Sequence, residues 1–210
     1  LGMMRASRLV KVNFLPVEYN PAEKRIAFHS NIKVELVIED ADVKKTLQLK
    51  AKYDSKYFAF TAAKIAYPQS LRVASSDRAI GYLIVADAMF EGNAKLKEFV
   101  KHKEGLGYAV TLKFFKDATL DSVGDYIKGV YNDSAPTFLL IVGDHEQIPG
   151  KKTGQYTDLY YHSTLSGGDG DYIPDMLCGR FSASNAADLE AQIDKTIEYE
   201  NKKFANADFL

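Results

Sequence analysis

The sequence predicts a mixed α/β protein, with a mostly parallel sheet flanked by helices over residues 79–210 and a small antiparallel β segment over residues 1–50. From Ile80 onward, short continuous apolar runs alternate with segments of helical spacing, which is typical of parallel strands covered by helices. Before that point, apolar and polar residues alternate with period two, as in strands that have one wet face. Residues 51–78 are interpreted as a connector between the two parts.

The first fifty residues are expected to form an antiparallel meander. Strand-like segments lie at 9–14, 25–29 and 32–39, and Pro21 fixes a turn at residues 20–23. Three strands alone are marginally stable. We therefore expect them to be the C-terminal strands of a larger β-sandwich. Neither end of the chain resembles a natural terminus, which favours a piece of a longer protein.

Residues 41–78 combine lysines with aromatic residues and show no clean period. Such a mixture is one way to bind single-stranded nucleic acid. The alternative is a connector laid over a neighbouring domain, with its aromatic residues as anchors. The formal net charge of −1 and the absence of a nucleic-acid motif favour the connector.

The α/β part is predicted to contain four strands and three helices. Each strand is a short apolar run, and each helix shows apolar residues three and four positions apart. The last helix should begin near Ser184 or Asn185, since both are good caps. The predicted strands lie near 81–86, 108–115, 137–142 and 176–181, and the predicted helices lie near 94–104, 120–131 and from 184 onward.

A ligand site in such a sheet is expected beyond the carboxyl ends of the strands. Asp87 and Asp144 both follow predicted strands. Residues 144–175 show no periodicity of their own and are predicted to be one long loop, and loops of that length are usually functional.

Composition excludes several classes of function. The balanced charge gives no general attraction to nucleic acid, and no apolar run is long enough to span a membrane. The single cysteine, Cys178, excludes an internal disulfide and a multi-cysteine zinc site.

A dyad of Cys178 with His145 is one hypothesis, but a thiol inside an apolar strand is more often an inert core residue. The residues alone show no complete catalytic apparatus.

The loop contains an acidic cluster, Asp169, Asp171 and Asp175, with the carbonyl of Ile173 between them. Carboxylates this close repel one another unless a cation neutralises them, and hard oxygen ligands in a turn favour Ca²⁺. Asp144 is expected to reach the same ion. A solvated acidic turn is the alternative. A phosphatase-like Asp pair is disfavoured because Ser166-Gly167-Gly168, rather than a strand, precedes it.

Several motifs, in order, resemble the gingipain-type cysteine peptidases over about residues 78–203. The resemblance implies a caspase-like α/β fold and a secreted or cell-surface endopeptidase, whose best-known members cleave protein or peptide substrates after Arg or Lys. The motifs are FLLIVGDHEQIP at 138–149, TDLYY at 157–161, GDYIPD at 170–175, GRFSA at 179–183 and QIDKTIEYE at 192–200.

The resemblance also implies site residues. The family's calcium site matches Asp144, Asp169, Asp171, the carbonyl of Ile173 and Asp175, although the last position is commonly Glu in the family. The family's catalytic His and Cys lie further along than residue 210, so the resemblance implies no catalytic residue here. The resemblance implies that residues 1–50 are the C-terminal strands of the family's β-sandwich prodomain. The expected partner is the remainder of the peptidase domain.

Basic residues in the connector suggest processing. Peptidases of this type are held latent by a proregion, and cleavage is predicted after Lys64, Arg72 or Arg78; an ordinary linker is the alternative. Two other hypotheses stay open for the whole chain. One is a non-catalytic secretion or interaction module that retains the peptidase fold, and the other is an intracellular α/β binding domain.

Overall fold

The computed structural model describes residues 2–35, 37, 39–40, 42–58 and 78–201. Its centre is a four-stranded sheet. The strands lie in the order Leu177–Phe181 (β10), Phe138–Val142 (β7), Ile80–Asp87 (β5) and Tyr108–Phe115 (β6), and all three neighbouring pairs are parallel. The predicted mixed α/β class is thereby confirmed. The elements of this part are β5 (Ile80–Asp87), α2 (Ala94–Gly105), β6 (Tyr108–Phe115), α3 (Leu120–Ser134), β7 (Phe138–Val142), β8 (Lys151–Thr153), β9 (Gln155–Thr157), α4 (Leu159–Gly167), β10 (Leu177–Phe181) and α5 (Ala186–Asn201).

Helices cover both faces of the sheet. Successive residues of a strand point to opposite faces, so each central strand contributes to two cores. On one face, Leu83 and Ile141 pack with Ile127 of α3 and Tyr161 of α4. On the other face, residues such as Ile84 pack with α2 and α5. This burial on both sides explains why β5 and β7 are continuous apolar runs.

The helix starts follow from their capping residues. The side chain of Asn93 accepts a hydrogen bond from the Leu96 N–H at the start of α2. Thr119 and Ser122 form a reciprocal capping box at the start of α3. Asn185 accepts a bond from the Asp188 N–H, which confirms the predicted start of the last helix.

The prediction that residues 144–175 form one long loop is wrong. It contains the β8–β9 hairpin and the helix α4. The helix is hidden in the sequence because it is rich in aromatic and hydroxyl residues, which have modest helix propensity. In the structure, the hydroxyls of Ser163 and Thr164 donate to carbonyls four residues earlier, at 2.6 and 2.8 Å.

Among its described residues, the N-terminal part forms two antiparallel hairpins and a helix over residues 43–53. Their bounds are β1 (Gly2–Met4), β2 (Ser7–Leu9), β3 (Val17–Asn20), β4 (Arg25–Phe28) and α1 (Val43–Tyr53). The Asn20 side chain accepts bonds from the N–H groups of Ala22 and Glu23, so the predicted turn is confirmed. Helix α1 was not predicted, because it buries no residue and has no apolar stripe to detect.

Two of the predicted N-terminal strands do not form. Residues 10–14 and the described part of 32–39 are not paired as strands. Their apolar side chains, for example Val12 and Val34, are about half exposed, at 47% and 52%. Alternation stabilises a strand only when another layer covers its apolar face, and nothing among the described residues covers these. Across the same described ranges, no helix is long and apolar enough to cross a membrane.

Candidate active-site edge

The carboxyl ends of β5 and β7 form the natural place for a site. From β5 the chain proceeds to β6 on one side, and then crosses to β7 and β10 on the other. Ligands of open α/β sheets bind where the strand order reverses in this way. Asp87 ends β5, and a Cβ on Gly143, just after β7, would lie 3.7 Å from the Cβ of Asp87. The two predicted strand-end carboxylates, Asp87 and Asp144, therefore border the same crevice.

Asp144 is an ionised, oriented carboxylate at this edge. One of its oxygens accepts the His145 N–H at 2.8 Å and the Ser182 hydroxyl at 2.9 Å. These hydrogen bonds lower the pKa of Asp144 below its usual value. The His145 ring stacks on Tyr156 of β9, with 4.4 Å between the ring centroids. The edge thus presents an anion beside an aromatic platform.

A partly buried ion pair holds the segments around this edge. The Arg180 guanidinium of β10 binds both carboxylate oxygens of Asp158, at 2.6 and 2.9 Å. It also donates to the carbonyls of Gly143 and Ile148, at 2.7 and 3.1 Å. One side chain therefore connects the end of β7, the segment after it, the start of α4 and β10. Sequence reasoning quoted both residues within motifs but did not recognise the pair.

The structure argues against a dyad of Cys178 with His145. Cys178 pairs with Leu139, near the start of β7, whereas His145 follows the end of that strand. The three steps along the strand from Leu139 to Val142 alone span about 10 Å. Burial raises the pKa of the Cys178 thiol to about 12, which fits an inert core residue.

The acidic cluster lies at the opposite, amino edge of the sheet, before β10 begins. Asp175 is fully buried and Asp171 is 7% exposed, whereas Asp169 is exposed. The Asp171 oxygens accept the N–H groups of Met3 and Ile173, at 2.7 and 2.9 Å. The Asp175 oxygens accept those of Arg5 and Ser166, also at 2.7 and 2.9 Å. Burial raises the pKa of Asp175 despite these donors.

The predicted calcium ligands are not all brought together. Asp144 follows the end of β7, and Asp175 precedes the start of β10, so the length of the paired strands separates them. Five strand residues correspond to about 16 Å, which is too far for one ion. Within the described ranges, no three acidic, His or Cys residues are placed to hold a metal. The residues as arranged do not fit the ion, and calcium stays a prediction.

The predicted processing residues are only partly described. Lys64 and Arg72 lie outside the described residues. Arg78 is exposed, and its guanidinium donates to the carbonyl of Lys52 at 3.2 Å. It stands two residues before β5, so processing there stays a prediction.

Two family models match the chain in succession. The Propeptide_C25 model matches residues 2–59, and the model of peptidase family C25 matches residues 75–209. The chain belongs to peptidase family C25. The resemblance to gingipain-type peptidases is thereby confirmed. The proposed division of the chain at residues 50 and 78 remains a prediction.

The relatives of this C25 chain include several gingipains of Porphyromonas gingivalis. Lys-gingipain is 32% identical across the whole chain, which covers 13% of that protein. Gingipain R2 is 30% identical over 94% of the chain, which covers 28% of it. The chain therefore spans about an eighth to a quarter of the length of these curated relatives.

Solved structures show the same fold. The crystal structure of the Arg specific cysteine proteinase gingipain R is 32% identical, with a TM-score of 0.51 over 59% of this chain and 29% of that one. The complex of the RgpB pro- and mature domains from P. gingivalis is 31% identical, with a TM-score of 0.51 over 57% of this chain and 29% of that one.

Proposed function

We propose that these 210 residues belong to the precursor of a secreted or cell-surface cysteine endopeptidase that cleaves after basic residues. The observation that carries the proposal is the succession of a propeptide model and a peptidase model along one chain. The names of the relatives, a Lys-gingipain and an Arg specific proteinase, support a basic residue before the cleaved bond.

The chemistry of a cysteine peptidase requires groups that the described residues do not assemble. A thiolate attacks the scissile carbonyl, and a histidine transfers the proton to the leaving amine. Cys178 is partly buried, has a raised pKa and lies far from His145. We therefore propose that the nucleophile and the general acid/base come from a further segment, and that the 210 residues alone do not hydrolyse peptides.

Activity measurements test this proposal directly. The longer natural polypeptide and the 210-residue chain are assayed on fluorogenic peptides ending in Arg, Lys or, as a control, Gln. We expect only the longer protein to hydrolyse the basic substrates and thiol alkylation to abolish that activity. A well-folded longer protein without activity on any peptide would instead support the non-catalytic module.

Processing of the connector is part of the proposal. Cleavage after Lys64, Arg72 or Arg78 would separate the region matched by the propeptide model from most of the region matched by the peptidase model. N-terminal sequencing of the mature protein is expected to begin at residue 65, 73 or 79. A start well inside the described α/β part would exclude all three sites.

We also propose that calcium binds the acidic cluster only after β1 has left it, because the oxygens of Asp171 and Asp175 already accept N–H bonds. The variant Met3→Pro removes one of these donors. At a hundredfold excess over its Kd, an ion bound only to the folded state stabilises by about 2.7 kcal/mol. We expect EDTA to lower the melting temperature of the variant by several degrees and to leave the intact chain unchanged. If EDTA changes the melting temperature of neither protein, calcium does not bind the acidic cluster and this proposal is wrong.

A further inference from the structure

Arg5 is a buried cation in the N-terminal segment, with only 4% of its surface exposed. Its guanidinium donates to the carbonyls of Ala135, Pro136 and Asp175, at 2.8, 3.1 and 2.8 Å. Its Nε donates to the carbonyl of Tyr53 at 2.5 Å. Because a guanidinium has five N–H donors, four such bonds nearly saturate it.

The acceptors lie at the ends of two helices. Tyr53 is the last residue of α1, and Ala135 is the C-cap of α3. The final carbonyls of a helix lack intrahelical partners and carry its negative dipole end, so a cation is stabilised there. The rings of Phe58 and Tyr131 add cation–π contacts, at 5.2 and 5.6 Å from the guanidinium carbon. We call this set of carbonyls and rings the Arg5 cage.

The backbone around Arg5 is held by the acidic cluster. Asp171 accepts the N–H of Met3, and Asp175 accepts the N–H of Arg5. Met3 lies in β1 and Arg5 lies in the turn that follows it, so the two carboxylates hold this end of the hairpin. Gly2 allows close approach, since a Cβ there would lie 2.4 Å from the Cδ1 of Ile173.

The turn that carries Arg5 does not itself favour arginine. Arg5 lies between β1 and β2 with φ of +54°, a conformation in which Gly or Asn is the usual choice. The contacts of its side chain therefore account for the arginine. The variant Arg5→Asn therefore separates the role of the backbone turn from the role of the side chain, because Asn suits the turn and only the guanidinium is lost.

We propose that Arg5 is the anchor of the hairpin of residues 2–9 at the amino edge of the sheet, and that the affinity of this hairpin for the α/β part depends on the bonds from its guanidinium to the carbonyls of Ala135, Pro136 and Asp175. The segment stays bound when the connector is cut. Only the natural occurrence of that cut rests on the proposed function.

The test uses the whole chain with a recognition sequence for a site-specific protease inserted within residues 59–77. After cleavage, the affinity between the two pieces is measured by fluorescence anisotropy, and their co-elution is followed by size-exclusion chromatography. We expect Arg5→Asn to weaken binding about a hundredfold. Arg5→Lys should weaken it about tenfold, since a point charge does not reproduce the planar fork.

Arg8→Ala is the matched control, because Arg8 is exposed on the same hairpin; it should leave the affinity unchanged. An Arg5→Asn affinity within about threefold of the original, or an equal loss in Arg8→Ala, would overturn the proposal. If uncut Arg5→Asn fails to fold, the N-terminal piece is produced separately and used as a competitor, because it carries Tyr53 and Phe58 together with Arg5. That piece should displace the labelled N-terminal piece of the original protein, and the same piece with Asn at position 5 should not. Equal displacement by both competitors, or by neither, would overturn the proposal as well. The cut is engineered, so none of these outcomes bears on the peptidase assignment.

Discussion

Replacement of Arg180 should destabilise the α/β part more than any exposed arginine does. Its guanidinium makes a bidentate pair with Asp158 and reaches the carbonyls of Gly143 and Ile148. The two charged side chains are 14% and 27% exposed, so water screens the pair only weakly. Removing the guanidinium leaves a carboxylate and two carbonyls without their donor.

The size of the effect follows from the number and type of these bonds. Hydrogen bonds to a charged group contribute about 1.5–3 kcal/mol each, and breaking a buried pair costs about 3–5 kcal/mol. Partial exposure of Asp158 places Arg180→Met near the lower end, at about 3 kcal/mol. Arg180→Lys keeps the charge but not the bidentate geometry, so its cost should be about 1.5 kcal/mol.

Urea denaturation followed by circular dichroism measures both changes in the free energy of unfolding. Arg8→Met, on the exposed hairpin, is the control and should stay within about 0.5 kcal/mol of the original. A double-mutant cycle with Asp158→Asn should give a coupling energy of about 1–2 kcal/mol. If Arg180→Met also stays within about 0.5 kcal/mol, the pair does not hold this edge together and the reasoning is refuted.

Three further outcomes are expected. Gly129→Ala in α3 should stabilise the protein by about 0.5–1 kcal/mol in urea denaturation, whereas Gly124→Ala should lose that gain, because its Cβ would lie 2.8 Å from the Tyr160 ring; equal effects would contradict this. Burial lowers the pKa of His162 below 6.5, so the unfolded chain takes up the proton first and stability should fall as pH drops through 6.5, by up to about 1.4 kcal/mol per unit. His162→Phe should flatten that dependence, and an unchanged slope would count against it. The Cys178 thiol, with its pKa raised to about 12, should react with iodoacetamide at pH 8 only after unfolding in urea, and rapid labelling of the folded protein would contradict this.

The sequence was most informative where packing on the central sheet decides which positions are apolar. The strands Ile80–Asp87 and Phe138–Val142 were predicted to within a residue because burial on both faces of the sheet imposes their apolar content. Helix α5 was predicted from its cap and from Leu189 and Ile193, which are both fully buried. Family motifs then supplied the identity of the fold.

Prediction failed where tertiary contacts replace local pattern. Helix α4 has no apolar stripe, and its buried residues are Tyr161 and Ser163. The distance between Asp144 and Asp175 could not be predicted from the sequence, because only the pairing of β7 with β10 shows that one follows a strand and the other precedes its neighbour. The role of Arg5 could not be predicted either, since its partners lie up to 170 residues away in the chain.

The Arg5 cage and Asp87 lie at opposite edges of one sheet. A small molecule that occupied the cage would loosen the N-terminal segment without touching the carboxyl edge of the strands. Its selectivity would depend on two helix ends and two carboxylates.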